Sequence, residues 1–310
     1  MKNWTIIIPQ VTLVLACCLT GTLKAQNLYG GNFGNGNVGE YTTSGSTVNA
    51  SLITRLDEPQ GIAVSGNDLF VANNYLGTVG EYTTSGATVN AALISGLTYP
   101  YGVAISGNDL FVANMNSGTI GEYTTSGETV NASLITGLYH PAGLAISGND
   151  LFVANYWSST GAENSETVGE YTTSGATVNA SLISGLSSPW DIAISGNDLF
   201  VANGGPGTVG TGTVGEYTTA GTTVNASLIS GLSGLIGIAV SENDLFVVNY
   251  ATGTVGEYTT TGATVNASLI SGLDEPNFIA VTSVPEPPAE LLALLGAPML
   301  ICRRLRKVAR

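Results

Sequence analysis

The side chains able to do chemistry are few, and most are acids or aromatics. The chain has one histidine, His140, and three cysteines, Cys17, Cys18 and Cys302, which lie near the two ends. The long central region therefore offers no thiolate and no Ser, His, Asp arrangement to activate a nucleophile. It does offer Tyr75, Tyr99, Tyr101, Tyr139, Tyr156, Trp157, Trp190 and Tyr250, set beside Asn and Asp in short irregular stretches. Rigid aromatics of this kind stack on sugar rings while neighbouring polar groups hydrogen-bond the hydroxyls. That points to polysaccharide as a ligand. Two acid pairs, Asp57 and Glu58 and then Asp274 and Glu275, each precede a proline, and Arg55 is the one base near the first of them. Carboxylates of this sort either are solvated loop acids or hold a hard cation such as calcium. No other cofactor is required, and Asp191 beside Trp190 is a further, weaker candidate.

These stretches fall at fixed places in a repeat. The words VGEYTT, TVNASLI, GIAVS and NDLFVAN recur from residue 36 to residue 283, and Tyr41, Tyr82, Tyr123, Tyr171, Tyr217 and Tyr258 mark six copies. Each unit holds four short runs rich in Val, Ile, Thr, Tyr and Phe, bounded by Gly, Ser, Asn and Pro, as strands joined by tight turns require. In the second copy they are Thr78 to Thr84, Thr88 to Ile94, Gly102 to Ser106 and Asp109 to Asn114. Four strands per unit of about 40 residues is the make-up of a β-propeller blade.

The two ends of the array are complementary. The last copy stops near Thr282 without its LFVAN word, and LYGGN at Leu28 to Asn32 is a degenerate form of that word. The reading is therefore an all-β, six-bladed propeller of four-stranded blades, one of which is closed by N- and C-terminal strands. An open solenoid gives no reason for such ends. Within the repeat, the SGND and TTSGAT turns are nearly constant, whereas the other two connections vary in length and type. Alternate connections of an up-and-down sheet share a rim, so both variable ones share a face, and that face carries the aromatics and acid pairs. The Asp of each NDL word, such as Asp68, is a turn residue. The NAS triplets match a glycosylation sequon but recur because the strand recurs.

Charge excludes one class of partner. Of eight Lys and Arg, only Arg55 lies between residues 26 and 283; taking Glu286 and Glu290 from the 22 acids leaves 20 in that stretch. Nucleic acid needs many basic contacts to displace counterions, so it is no partner here.

The ends read as targeting segments. Residues 1–25 have Lys2, an apolar run and LKA before Gln26, a secretory signal peptide; VLAC at Val14 to Cys17 is the lipoprotein alternative. Residues 284–310, VPEPPAELLALLGAPMLICRRLRKVAR, resemble the PEP-CTERM sorting signal. The resemblance implies that an exosortase-type processing enzyme reads Val284, Pro285, Glu286 and Pro287, and that Arg303, Arg304 and Arg306 keep the end cytoplasmic. It also implies export, transient anchoring in the inner membrane and then delivery to the envelope or extracellular matrix. The apolar run 289–302 has 14 residues, about 21 Å of helix against a hydrocarbon core of about 30 Å, which suits a temporary hold.

The second half of each unit, Pro59 to Asn73 for example, is similar to the NHL repeat: proline, then G-I-A-V, then L-F-V-A-N. NHL repeats commonly carry Asp after the V-A pair, where this chain has Asn73, Asn114, Asn155, Asn203 and Asn249. The resemblance implies a propeller, and some relatives of that superfamily are lactonases with a metal held at the channel mouth by acids and asparagines. Near-identical copies, however, argue against the asymmetric constellation of a catalyst. The expectation is thus a non-catalytic binding or scaffold propeller for polysaccharide, the alternative being a metal-dependent lactonase or esterase.

Overall fold

The computed structural model describes residues 26–156, 166–205 and 210–282. Their strands form six four-stranded antiparallel sheets, with no α-helix among the described residues. One blade runs from the inside out as Pro59–Ser65, Asp68–Asn73, Thr78–Thr83 and Thr88–Ser95. The inner strands, Pro59–Ser65, Pro100–Ser106, Pro141–Ser147, Pro189–Ser195, Leu235–Ser241 and Pro276–Val281, contact one another in a closed ring. Five begin with proline, which lacks the N–H a sheet interior needs and is tolerated at the first residue of an edge strand.

The second strand is apolar on both sides because both sides are covered. Leu69 and Val71 pack with Val38, Ile53 and Tyr29 of the preceding blade, whereas Phe70 and Ala72 pack with Val103, Leu110 and Val112 of the following one. Alternation along one strand thus feeds two cores, and each large side chain removed from water contributes about 1.5–3 kcal/mol. The third strand reads VGEY for a related reason. Tyr82 lies back over Gly80, where a Cβ would stand 2.8 Å from the ring.

The outer strand leaves its edge to solvent, an invitation to pair with another chain. Here each Asn of TVNAS answers it: its Oδ1 accepts the N–H two residues on, from Ser51, Ala92, Ser133, Ser181, Ser227 or Ser268, at 3.1 Å. The strand register shifts at the same place. Ala92 serves as well as serine because the donor is the backbone, so the triplets are structural in this fold. Neighbouring blades are also clasped at their rims. Gly86, at φ +88°, packs on the Leu52 carbonyl, where a Cβ would be 2.5 Å away.

The closing blade joins the ends as the sequence implied. Leu28, Tyr29 and Gly30 pair with Val281, Ala280 and Ile279. Beside them, Asn277 Nδ2 donates to Gln60 Oε1 at 3.0 Å in a buried bond across the seam. Residues 1–25 and 283–310, and with them the leader, the segment 289–302 and the sorting motif, lie outside the described residues; among those that are described, no helix is long and apolar enough to cross a membrane.

Candidate functional site

Both variable connections lie on one face, and the same hydrogen bond shows it in all six blades. The loop entering an inner strand offers a carbonyl to the first N–H after the second strand. Phe33, Asn74, Met115, Tyr156, Gly204 and Tyr250 donate to Glu275, Glu58, Tyr99, His140, Ser188 and Gly234, at 2.8–3.1 Å. The Asn that ends the second strand fastens the same region: Asn114 Oδ1 accepts the Thr98 N–H at 3.4 Å. Asn73 and its counterparts are buried at blade ends, and Asn73 reaches the Tyr82 hydroxyl. Each stands opposite the first residue of its inner strand, as Asn73 does Pro59 and Asn203 does Pro189, and the Oδ1 atoms of Asn73, Asn155, Asn203 and Asn249 are buried without a hydrogen-bond partner.

The mouth itself is built from the two residues after each inner-strand proline, or after Leu235 in the fifth blade. The first of these is Gln60, Tyr101, Ala142, Trp190, Ile236 or Asn277, six positions and six different residues. The second is Gly61, Gly102, Gly143, Asp191, Gly237 or Phe278. Glycine is used here because blades meet backbone to backbone. A Cβ on Gly102 would stand 2.1 Å from the Ala142 carbonyl, and one on Gly61 2.3 Å from that of Tyr101.

Asp191 breaks that rule and is the buried carboxylate of the mouth, 6 % exposed. Its Oδ1 accepts the Ile192 N–H at 2.9 Å, and its Oδ2 accepts the Ile238 N–H of the next blade at 3.0 Å. Burial pushes its pKa from 3.8 up to about 8, the two N–H groups opposing the shift only in part. Around it sits an aromatic cluster. Trp190 stacks on Tyr156 at 3.8 Å and on Tyr101 at 5.6 Å, and Tyr101 meets Phe278 edge to face at 5.3 Å. Burial pushes the Tyr101 hydroxyl up as well, followed by Tyr156, Asp191 and Tyr250.

The aromatics expected on one surface therefore divide. Tyr75, Tyr99 and Tyr139 are 67, 44 and 50 % exposed, whereas Tyr101 is 7 % exposed and packs inside the mouth. Tyr156, Trp190 and Tyr250 are half-buried, and Trp157 lies outside the described residues. Phe278, Met115 and Ile236 join the same cluster; sequence reading missed them because they occupy strand and loop words that look like core.

The acid pairs are brought to the closing seam. Asp57, Glu58 and Glu275 line one open hollow of about 410 Å³ with Phe33 and Leu56, and the Asp274 carboxylate packs beside Gly34. Yet among the described residues no group of three or more His, Cys, Asp or Glu is arranged to hold a metal ion. At the mouth, each oxygen of Asp191 accepts one backbone N–H, and Gln60 and Asn277 bond each other.

No protein-family model and no curated protein matches the chain. Among solved structures it is similar to a chain of a nidogen/laminin complex, at 12 % identity and TM-score 0.68 over 83 % of this chain and 98 % of that one. It is also similar to a gluconolactonase from Xanthomonas campestris, at 14 % identity and TM-score 0.59 over 72 % of this chain and 80 % of that one. A third is the calcium-binding protein regucalcin from Agrobacterium tumefaciens, at 13 % identity and TM-score 0.57 over 73 % and 78 %. Identities this low establish the fold. The expectation of a non-catalytic chain is corrected on this point: the same architecture carries a gluconolactonase, so near-identical blades do not exclude catalysis. The physical error was to weigh the strands, which repeat, and not the mouth, where no two of the six residues after the inner-strand start are alike.

Proposed function

We propose that the protein is a hydrolase of small esters or lactones, working at the channel mouth on the variable face. The observation that carries this reading is Asp191, a buried carboxyl with no cationic partner, placed where four of the other blades have glycine. A group poised at about 8 exchanges its proton near neutral pH, which acid–base catalysis needs. As a carboxylate it takes a proton from the water that attacks the ester carbonyl; as an acid it returns that proton to the departing alkoxide. Two backbone N–H groups fix its orientation. The Tyr101 hydroxyl, kept protonated by burial, remains a donor throughout. No step is routed through a metal. Gluconolactonase activity in a protein of similar fold supports lactones as the first substrates to try.

The test is turnover of a lactone and aryl-ester panel at pH 5–9, with calcium and with chelator, by the protein and by Asp191→Asn. Loss of one general acid–base group should lower the rate by about 100-fold or more. Absence of turnover throughout the panel, or full activity in Asp191→Asn, refutes the reading. The exposed Tyr75 and Tyr139 support a second role on the same face, retention on envelope polysaccharide; it predicts that replacing both with Ala releases the protein from matrix. Residues 284–310 would deliver it there through an exosortase-type enzyme, a step that Glu286→Ala should block.

A further inference from the structure

One position in the repeat is held in a backbone conformation that disfavours side chains, and five of the six copies nevertheless place a side chain there. The residue before the start of each inner strand has positive φ in every blade. These are Glu58 (53°), Tyr99 (55°), His140 (46°), Ser188 (53°), Gly234 (61°) and Glu275 (50°). Glycine adopts this region freely, whereas other residues do so at a cost. The other left-handed positions obey the rule: Gly66, Gly86 and Gly96 and their counterparts are glycine in the described copies, save Arg55 and Glu242. At this one position, five of the six are not. All five also precede a proline, which restricts the preceding residue further.

The conformation is imposed from outside. The carbonyl of each of the six accepts the N–H that follows the second strand of its blade, so the backbone stays left-handed whatever the side chain. Gly234 shows that glycine serves the fold there. Strained non-glycine residues persist where the surroundings over-determine them, and they gather at functional sites. Side-chain type points the same way. Where the turns of the repeat conserve one residue, this position carries Glu, Glu, Tyr, His and Ser, all polar or aromatic and none aliphatic.

The closed ring of inner strands sets their order around the mouth: Glu275, Glu58, Tyr99, His140, Ser188 and Gly234. Glu58 and Glu275 line one hollow across the seam, Tyr99 presents 44 % of its surface, and His140 and Ser188 come from adjacent blades. We infer that this ring is a ligand-contacting layer for a neutral polyhydroxylated molecule, such as a sugar or its lactone. Carboxylates accept hydroxyl protons, serine and histidine donate or accept, and a tyrosine ring stacks on a sugar face. Two carboxylates on one side repel sugar acids and phosphates. The inference rests on the mouth as the working site and does not require hydrolysis.

The experiment separates function from strain. The full chain and its Tyr99→Gly, His140→Gly and Glu58→Gly variants are titrated calorimetrically with maltose, cellobiose and chitobiose, with gluconate as the anionic control, and melted in parallel. A ring that serves a ligand at the expense of stability predicts disaccharide affinity at least 10-fold weaker in the variants, a melting temperature unchanged or raised, and no gluconate binding. Glu242→Gly, at the left-handed turn of the opposite rim, should raise the melting temperature and leave affinity intact. Unchanged affinity in the ring variants, lowered melting temperatures, tighter binding of gluconate, or no disaccharide binding by the parent chain would each overturn the inference. A protein that hydrolyses no lactone yet loses disaccharide binding in these variants would sink the proposed reaction and leave the ring standing.

Discussion

Asp191 should make the protein less stable as pH rises from about 4 to about 8, and the size of the effect follows from the site. Its carboxyl is pushed from 3.8 to about 8 by burial, with two backbone N–H groups in opposition and no cation contributing. The folded chain thus holds this proton more tightly than the unfolded chain does. Stability from the group is complete below the unfolded value, falls through the interval and is flat above about 8. One proton gives a slope of about 1.36 kcal/mol per pH unit. The whole interval is worth on the order of 5 kcal/mol as an upper bound, because local opening relieves part of it. At about 2–4 °C per kcal/mol for a chain of this size, the melting temperature should fall by roughly 3–5 °C per pH unit from this group alone.

The measurement must isolate it from a background of the same sign. Glu81, Glu122, Glu170, Glu216 and Glu257 are all raised, by burial first and then by Asp68, Asp109, Asp150, Asp198 and Asp244. Urea unfolding of the parent chain and of Asp191→Asn from pH 4.5 to 9 supplies the difference. The amide accepts only one of the Ile192 and Ile238 N–H groups and turns its own NH₂ on the other, a pH-independent cost of about 1–3 kcal/mol. The parent's lead over the variant should therefore fall steadily with pH, reverse sign once about 1–2 pH units of the interval have been crossed, and stay constant above about pH 8. A gap that does not change with pH would show that Asp191 is ionised in the folded protein, and would remove the basis for its acid–base role.

Two further outcomes test the fold around the site. Gly102→Ala should be destabilising by about 3 kcal/mol, because its Cβ would meet the Ala142 carbonyl at 2.1 Å and backbone cannot move aside; Gly107→Ala, with nothing within 4 Å, should lose only the left-handed penalty of about 1–2 kcal/mol, and equal melting temperatures would refute the close approach of blades. Asp109→Asn should reproduce the closing blade, where Asn27 Nδ2 donates to Glu40 Oε1 at 2.7 Å in place of an acid pair. The gain, about 0.3 kcal/mol, should appear at pH 7 and vanish at pH 4 once Glu122 is protonated; a loss at pH 7 would show that the Asp109 and Glu122 carboxylates do not repel.

What the sequence made legible was whatever the copies share. Four strand words per unit, complementary ends and alternating constant and variable connections lead to six closed blades and a single variable face, because period-two patterning and antiparallel order leave few other solutions. The site was less legible because it lies in departures from the repeat, and a departure shows its meaning only against the backbone beneath it. Tyr75 and Tyr101 look alike in sequence, yet one is a loop residue in solvent and the other the first residue after an inner-strand proline, buried in the mouth. The Glu58, Tyr99 and His140 loops look like drift until their common left-handed backbone is seen. One signal was open to reading: P-x-G becomes P-W-D at Asp191. The glycine there is required by blade contact, so a carboxylate in its place has to be bonded to both strands it separates, and it is. Symmetry in this chain is confined to what every blade must do for the ring. The residue that bonds across the interface of two blades, and the ring that accepts strain where glycine would serve, are where one blade does what the others do not.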